Sequence, residues 1–195
     1  MTKVNLLTIH YGKCYGAVMQ TFATCRMLEQ AGHTVRVINL INPSQKGNWK
    51  SIHYWMDCVR EFQFWLFKKK YFSKLTNKAY SIKDINLPKS DVTVVGSDQV
   101  WNNEYNRGID PVFYLDFAPQ HAKKIAYAAS IGQNSLSDIE KESMRSALKC
   151  YACLTVREDL AKAQLTELGY DSTQVLDPTL LLSKEEWLSV FKKSS

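Results

Sequence analysis

The chain has 195 residues, 45% of them hydrophobic and 23% charged, with five prolines and eight glycines. That make-up fits one globular domain and excludes a disordered, collagen-like or low-complexity chain. The formal net charge is +6, and residues 46–78 carry all of it, with Lys46, Lys50, Arg60, Lys68, Lys69, Lys70, Lys74 and Lys78 against Asp57 and Glu61.

In chain order, Val4–Ile9 is a short apolar run ending in a turn that holds Gly12 and Gly16. It is too short for the core of a signal peptide and lacks a small-residue cleavage site. Ala17–Ala31 follows with Val18, Met19, Phe22, Ala23 and Met27 at helical spacing, closed by Gly32. Val35–Leu40 is β-branched and stops at Asn42-Pro43. Strand, helix and strand within forty residues form a βαβ unit, so the two strands should be parallel. Residues 43–50 read as a turn-rich linker. The basic segment then places Ile52, Trp55, Val59, Phe62 and Leu66 on a helical stripe. It holds nine of the 23 aromatics, so residues 46–78 are a basic aromatic helical insert, and 50–72 an amphipathic helix over the sheet or the mouth of a cleft. Charge confined to one helix is weak ground for nucleic-acid binding, and none is expected.

Beyond Ser90, strands are expected at Asp91–Val95, Val112–Phe117 and Lys124–Ser130. Ser137-Asp-Ile-Glu140 is a capping box opening a helix to about Lys149. Tyr151–Val156 reads as a strand, Asp159–Leu168 as a helix, Thr173–Leu176 as a last strand, and Ser183 as the start of another helix. Alternation of this kind predicts an α/β fold with an open, mostly parallel, doubly wound (Rossmann-like) sheet, where ligands bind beyond the carboxyl ends of the strands.

The unusual residues sit at those strand ends. The first turn, His10-Tyr-Gly12-Lys-Cys14-Tyr15-Gly16, allows close backbone approach and precedes a helix N-terminus that favours an anion. Its spacing is not the dinucleotide fingerprint, and a tight structural turn explains the same glycines. Ser97, Asp98 and Gln99 present three adjacent polar groups after a buried strand, followed by Trp101; a plain helix cap is the competing explanation. In Ile125-Ala-Tyr-Ala-Ala-Ser130-Ile-Gly132, the small residues suggest close approach of a ligand or of another backbone. Arg157 directly follows a buried strand and could fork onto phosphate or carboxylate, or could pair with Glu158 or another nearby acid. Cys150 and Cys153 sit at a strand start, facing opposite sides, which suits neither a redox pair nor a metal. Five scattered cysteines give no disulfide framework and point to a reduced, cytoplasmic setting. No run approaches the roughly 18 apolar residues of a membrane span.

In this order the motifs resemble the polysaccharide pyruvyl transferase family: Cys14-Tyr15-Gly16, Gly96-Ser-Asp-Gln-Val-Trp101, Ala126–Gly132, Thr155-Val-Arg-Glu158 and Asp177-Pro-Thr179, with Leu180–Leu182 and Glu186-Trp187 following. The resemblance implies the N-terminal half of a glycosyltransferase-B-type fold, with the active site in a cleft between two domains. It also implies transfer of pyruvate from phosphoenolpyruvate to two hydroxyls of a cell-surface polysaccharide sugar as a ketal, with release of phosphate; no cofactor or metal is expected. Residues 1–182 would then be the N-terminal domain, and 183–195 a helix start or linker toward an absent second domain that holds the family's catalytic histidine. Cys14 stands where the family has Asn, and Ala126 where it has Ser.

The expected substrate-binding residues are Gly12, Tyr15, Gly16, Ser97, Asp98, Gln99, Trp101, Ser130 and Arg157; no catalytic residue is assigned. On this reading the isolated chain folds without turning over phosphoenolpyruvate. A nucleotide-sugar glycosyltransferase and a non-catalytic sugar- or partner-binding half-protein are the alternatives. A lipid-linked acceptor would add peripheral membrane contact through residues 50–72, where aromatic and basic residues together suit an interface.

Overall fold

A computed structural model describes residues 1–11, 14–41, 52–72 and 74–191, with the backbone alone for 52–61. Strand β1 (Lys3–Leu7) leads into helix α1 (Tyr15–Gln30), which returns the chain to β2 (Thr34–Val37). The two strands are parallel, with Val4 opposite Val35. Helix α2 (Ile52–Tyr71) makes the next crossover and ends in β3 (Lys74–Leu75), beside Val37 at the sheet edge. The expected linker at 43–50 lies outside the described residues, as does Gly12.

The chain then crosses to the other side of β1. There it lays down β4 (Val92–Val95), then β5 (Lys123–Ala129), β6 (Tyr151–Val156) and β7 (Thr173–Gln174) in outward order. All seven strands of this sheet are parallel, in the order β3-β2-β1-β4-β5-β6-β7. The fold is therefore the open, doubly wound α/β sheet that the alternation predicts, and its order reverses between β1 and β4.

Strand periodicity builds a core on each face. Leu6, Val37 and Val94 turn toward Cys25 and Leu28 of α1. Leu7, Ile38 and Val95 turn the other way, into a cluster with Met144 of α4 (Asp138–Ala147) and Ala161 and Leu165 of α5 (Asp159–Glu167). The Ser137–Glu140 capping box that opens α4 is present in full. α6 (Lys184–Phe191) lies against α1, with Trp187 and Val190 packed around Phe22 and Leu182. Phe22 also meets Phe67 and Tyr71 of α2 edge-on, both at 6.1 Å between ring centroids.

The expected strand at Val112–Phe117 is replaced by a 3₁₀ turn over Pro111–Tyr114. Asp110 accepts the Val112 N–H at 3.1 Å, Pro111 takes the first position, and Leu115 enters the left-handed region at φ 57°. The apolar run is buried all the same, with Phe113, Tyr114 and Leu115 in the core.

β5 and β6 run out of step twice. Lys124 and Ile125 face Tyr151 and Cys153, whereas Ala126 and Ala129 face Leu154 and Val156. Thr155 stitches the second irregularity, its hydroxyl donating to the Ala126 carbonyl at 3.0 Å and accepting the Ala128 N–H at 2.9 Å. Ala128 there has φ 48°, an uncommon conformation for a residue with a Cβ that a bulge accommodates.

Candidate functional site

The crevice opens where the strand order reverses, the place at which α/β sheets take their ligands. Adjacent strands β1 and β4 bring the first turn and the Ser97 loop together there. The Thr8 hydroxyl donates to the Ser97 carbonyl at 3.3 Å, and Gln20 of α1 holds Thr8 in place, its amide donating to the Thr8 hydroxyl at 2.9 Å and to the Ile9 carbonyl at 3.0 Å. Beyond β4, Gly96 lies against β5 so closely that a Cβ would stand 2.2 Å from the Tyr127 carbonyl oxygen. The small residues of β5 thus serve the approach of another backbone. The chain then continues the ladder, Asp98 bridging to Ala129 and accepting the Ser130 N–H at 3.0 Å.

Ser97, Asp98 and Ser130 meet in this crevice, with Arg157 and Asp177 beside them. Ser97 is fully buried, and its hydroxyl donates to Asp177 Oδ2 at 3.1 Å. Arg157 donates from Nη1 to the same oxygen at 3.0 Å and from Nε to Glu158 at 3.3 Å, which leaves Nη2 without a partner among the described residues. Asp177 Oδ1 accepts both the N–H and the hydroxyl of Thr179, at 2.9 and 2.6 Å. Burial would raise the Asp177 carboxyl, but the hydrogen bonds from Thr179, Arg157 and Ser97 outweigh it and hold the group below its ordinary value. Ser130 Oγ is buried and makes no hydrogen bond among the described residues. A groove of about 440 Å³ runs past this cluster, lined by Arg157, Gln174, Val175, Leu176, Asp177 and Leu180.

Asp98 has the opposite balance. Burial pushes its carboxyl up, and the Gln99 N–H and the Arg157 charge only partly offset that, while Asp177 adds to it. Among the described residues its carboxylate accepts one hydrogen bond, from the Gln99 N–H at 2.8 Å on Oδ1. Asp98 thus sets a carboxyl that burial disfavours in its charged form at the mouth of the crevice. Asp98→Asn keeps the acceptor and removes the charge, so the melting temperature at pH 7 is expected to rise. Because the folded pKa is raised, the gain should vanish below the ordinary carboxylate pKa, where folded and unfolded forms are both protonated. A pH series of thermal melts checks this.

The remaining expected residues divide. Tyr15 and Gly16 open α1 at the crevice, both exposed, and the Tyr15 ring packs on Phe64 at 4.9 Å between centroids. Gln99 is exposed and accepts the Asn102 amide at 3.1 Å, so it braces its own loop. Trp101 leaves the crevice altogether. It is 0% exposed, stacked on Tyr114, with its indole N–H donated to the Phe113 carbonyl at 3.1 Å, because the turn after Gln99 swings it beneath the loop. His10 is likewise a core residue; its Nδ1 meets the Thr8 carbonyl at 3.1 Å and its Nε2 the Asn39 amide oxygen at 3.0 Å, and burial lowers its pKa. Sequence reasoning did not name Asp177, Gln174 or Tyr105 as site residues. Tyr105, on the short helix α3 (Asn103–Asn106), lies near enough to Asp98 that burial and then the Asp98 charge raise its phenol.

Fold and crevice together define a Rossmann-like α/β domain with a polar strand-end site. The chain belongs to the polysaccharide pyruvyl transferase family, whose model matches residues 15–195. Comparison with curated proteins and with solved structures gives no match. Among the described residues no helix is long and apolar enough to cross a membrane.

Proposed function

We propose that the chain takes part in moving pyruvate from phosphoenolpyruvate to a sugar of a cell-surface polysaccharide, and that its crevice is the sugar side of that reaction. Membership of the family supports the reaction class. The observation that carries the assignment of the crevice is its charge: one guanidinium, Arg157, stands among three carboxylates, Asp98, Glu158 and Asp177. Phosphoenolpyruvate brings a phosphate and a carboxylate, and such a cluster repels both. Sugar hydroxyls, by contrast, donate to carboxylates and accept from the open edge of a guanidinium. Positive charge for the donor would then come from outside this cluster, consistent with a second domain across the cleft.

In this reading Asp98 accepts the proton of one acceptor hydroxyl as its oxygen bonds C2 of the enolpyruvyl group. That proton is balanced by the one C3 gains, phosphate departs with the electrons of its bond to C2, and the second hydroxyl closes the ketal as its own proton passes to the released phosphate. A carboxyl pushed upward is better matched to that exchange than an ordinary one. Arg157 orients the sugar, held by Asp177. A cytoplasmic setting and peripheral contact with a membrane that carries the acceptor belong to the same reading.

Amide NMR of the chain titrated separately with monosaccharides, phosphoenolpyruvate and a nucleotide sugar tests it. Hexoses are expected to move the Asp98, Gln99 and Gln174 signals, and Asp98→Asn to abolish the response. Tighter binding of the nucleotide sugar at these positions would favour the glycosyltransferase alternative. Sugars that leave them unmoved would defeat the reading.

A further inference from the structure

Over its described side chains, Phe62–Tyr71, helix α2 carries aromatic residues on two sides, and one side is buried while the other is exposed. Phe64, Phe67 and Tyr71 face inward: Phe64 is 8% exposed, and Phe67 and Tyr71 close on Phe22. Phe62, Trp65, Leu66 and Lys69 stand at the same helical spacing on the other side, with the three apolar residues 57%, 48% and 46% exposed. Phe62 and Trp65 stack at 5.6 Å, and the Lys69 ammonium sits 5.0 Å over the Trp65 ring. Lys70 caps Tyr71 in the same way at 4.8 Å. A single exposed apolar side chain is ordinary on a protein surface, but Phe62, Trp65 and Leu66 lie side by side on one face.

Charge decides what covers it. From Phe62 to Lys83 the chain carries six lysines and no Asp or Glu. A second copy would set one basic stripe against another, and a nucleic acid would leave Leu66 and the outer edges of the rings in water. An anionic bilayer satisfies both features, taking aromatic side chains at the headgroup–acyl boundary and lysines among the headgroups. The position is also suitable, because Phe64 on the same helix touches Tyr15 at the crevice. We propose that the Phe62–Trp65–Leu66 face of α2, with Lys69 and Lys70, docks on an anionic membrane surface. This deepens the membrane part of the functional reading. Binding to vesicles is measured with no substrate present, so its failure would leave sugar binding and pyruvyl transfer standing.

The test is co-sedimentation of the full chain with phosphatidylcholine vesicles, with and without phosphatidylglycerol. Binding is expected only to the anionic vesicles, and raised salt should weaken it as the lysines are screened. Lys69→Ser with Lys70→Ser should lower the partition coefficient about fivefold per lysine, roughly thirtyfold together. Phe62→Ser with Trp65→Ser should reduce it at least as much and make the residual binding wholly salt-sensitive. Both pairs lie on the surface, so unchanged circular dichroism and melting temperature confirm that the fold is intact. No sedimentation with anionic vesicles would overturn the proposal, as would binding that neither pair alters. It would equally fall if these substitutions dissolve a concentration-dependent dimer, or abolish nucleic-acid binding, while vesicle binding is absent.

Discussion

Gly96→Ala is expected to leave no soluble folded protein. The added methyl carbon would lie 2.2 Å from the Tyr127 carbonyl oxygen and 3.1 Å from its carbon, and both are backbone atoms of a central strand. No side chain can rotate away to make room. The backbone at Gly96 also has φ 108°, outside the range that residues with a Cβ adopt. Separating β4 from β5 would break the Asp98–Ala129 bridge and the Ser130 N–H bond that shape the crevice. The cost should exceed about 4 kcal/mol, against a total stability of about 5–15 kcal/mol. Gly108→Ala is the control, because Gly108 has a similar φ of 115° but nothing within 4 Å of the added carbon. It should cost about 1–3 kcal/mol, the backbone strain without the clash. Soluble yield and circular dichroism of the two variants decide the matter, and equal behaviour would mean that the strands are not so closely apposed.

Asp177→Asn is the second large effect, and its pH dependence is as informative as its size. One carboxylate joins the end of β4 through Ser97, the end of β6 through Arg157, and the 3₁₀ turn Pro178–Leu180 through Thr179. The amide can still accept from Thr179, but its nitrogen would face the Arg157 guanidinium and the Ser97 hydroxyl. The Ser97 hydroxyl can turn to accept from the new amide, but losing the charge-assisted Arg157 bond, with a repulsive contact in its place, should cost about 3 kcal/mol, or roughly 6–12 °C in melting temperature. The folded pKa of Asp177 is lowered, so its contribution is present above the unfolded value and is lost as pH falls through the folded one. The gap to the unmodified protein should therefore be full at pH 7, persist into the ordinary carboxylate range, and close only below it. Asp98→Asn runs in the opposite direction, so thermal melts of the two variants across pH separate a carboxylate that supports the fold from one that burdens it.

The pairing of Arg157 also bears on what was readable in advance. An arginine after an apolar strand is visible in the sequence, as is the possibility that Glu158 takes it. Asp177 lies 20 residues from Arg157 and 80 from Ser97, so only the folded sheet shows that one carboxylate serves both. The strands were the easier part. β6 spans Tyr151–Val156 as its apolar pattern predicts, and α4 begins at its capping box, since period and caps are local signals. The stretch at Val112–Phe117 misled because Val, Phe, Tyr and Leu favour strands. The decisive signal was the preceding Asp110-Pro111 pair, which initiates a turn. Trp101 misled for a related reason: residues that follow a polar loop are placed by the next turn of chain, not by the strand before it.

The paired irregularities of β5 and β6 act as a vernier. Over one interval β6 uses two residues to the single step of β5, and over the next β5 uses three to the two of β6. From Lys124 to Ala129 and from Tyr151 to Val156 the tallies come out equal, so the strands leave the sheet in phase although they are offset midway. Within the offset stretch the Tyr127 carbonyl lies against Gly96, and where the phase is restored the Arg157 N–H donates to the Ala129 carbonyl at 3.2 Å, next to Ser130. Deleting one residue from either strand would slide one side of the crevice by a step of about 3.3 Å and turn its side chains to the opposite face. Deleting one from each would preserve the alignment. The two strands are thus bound to gain or lose residues together.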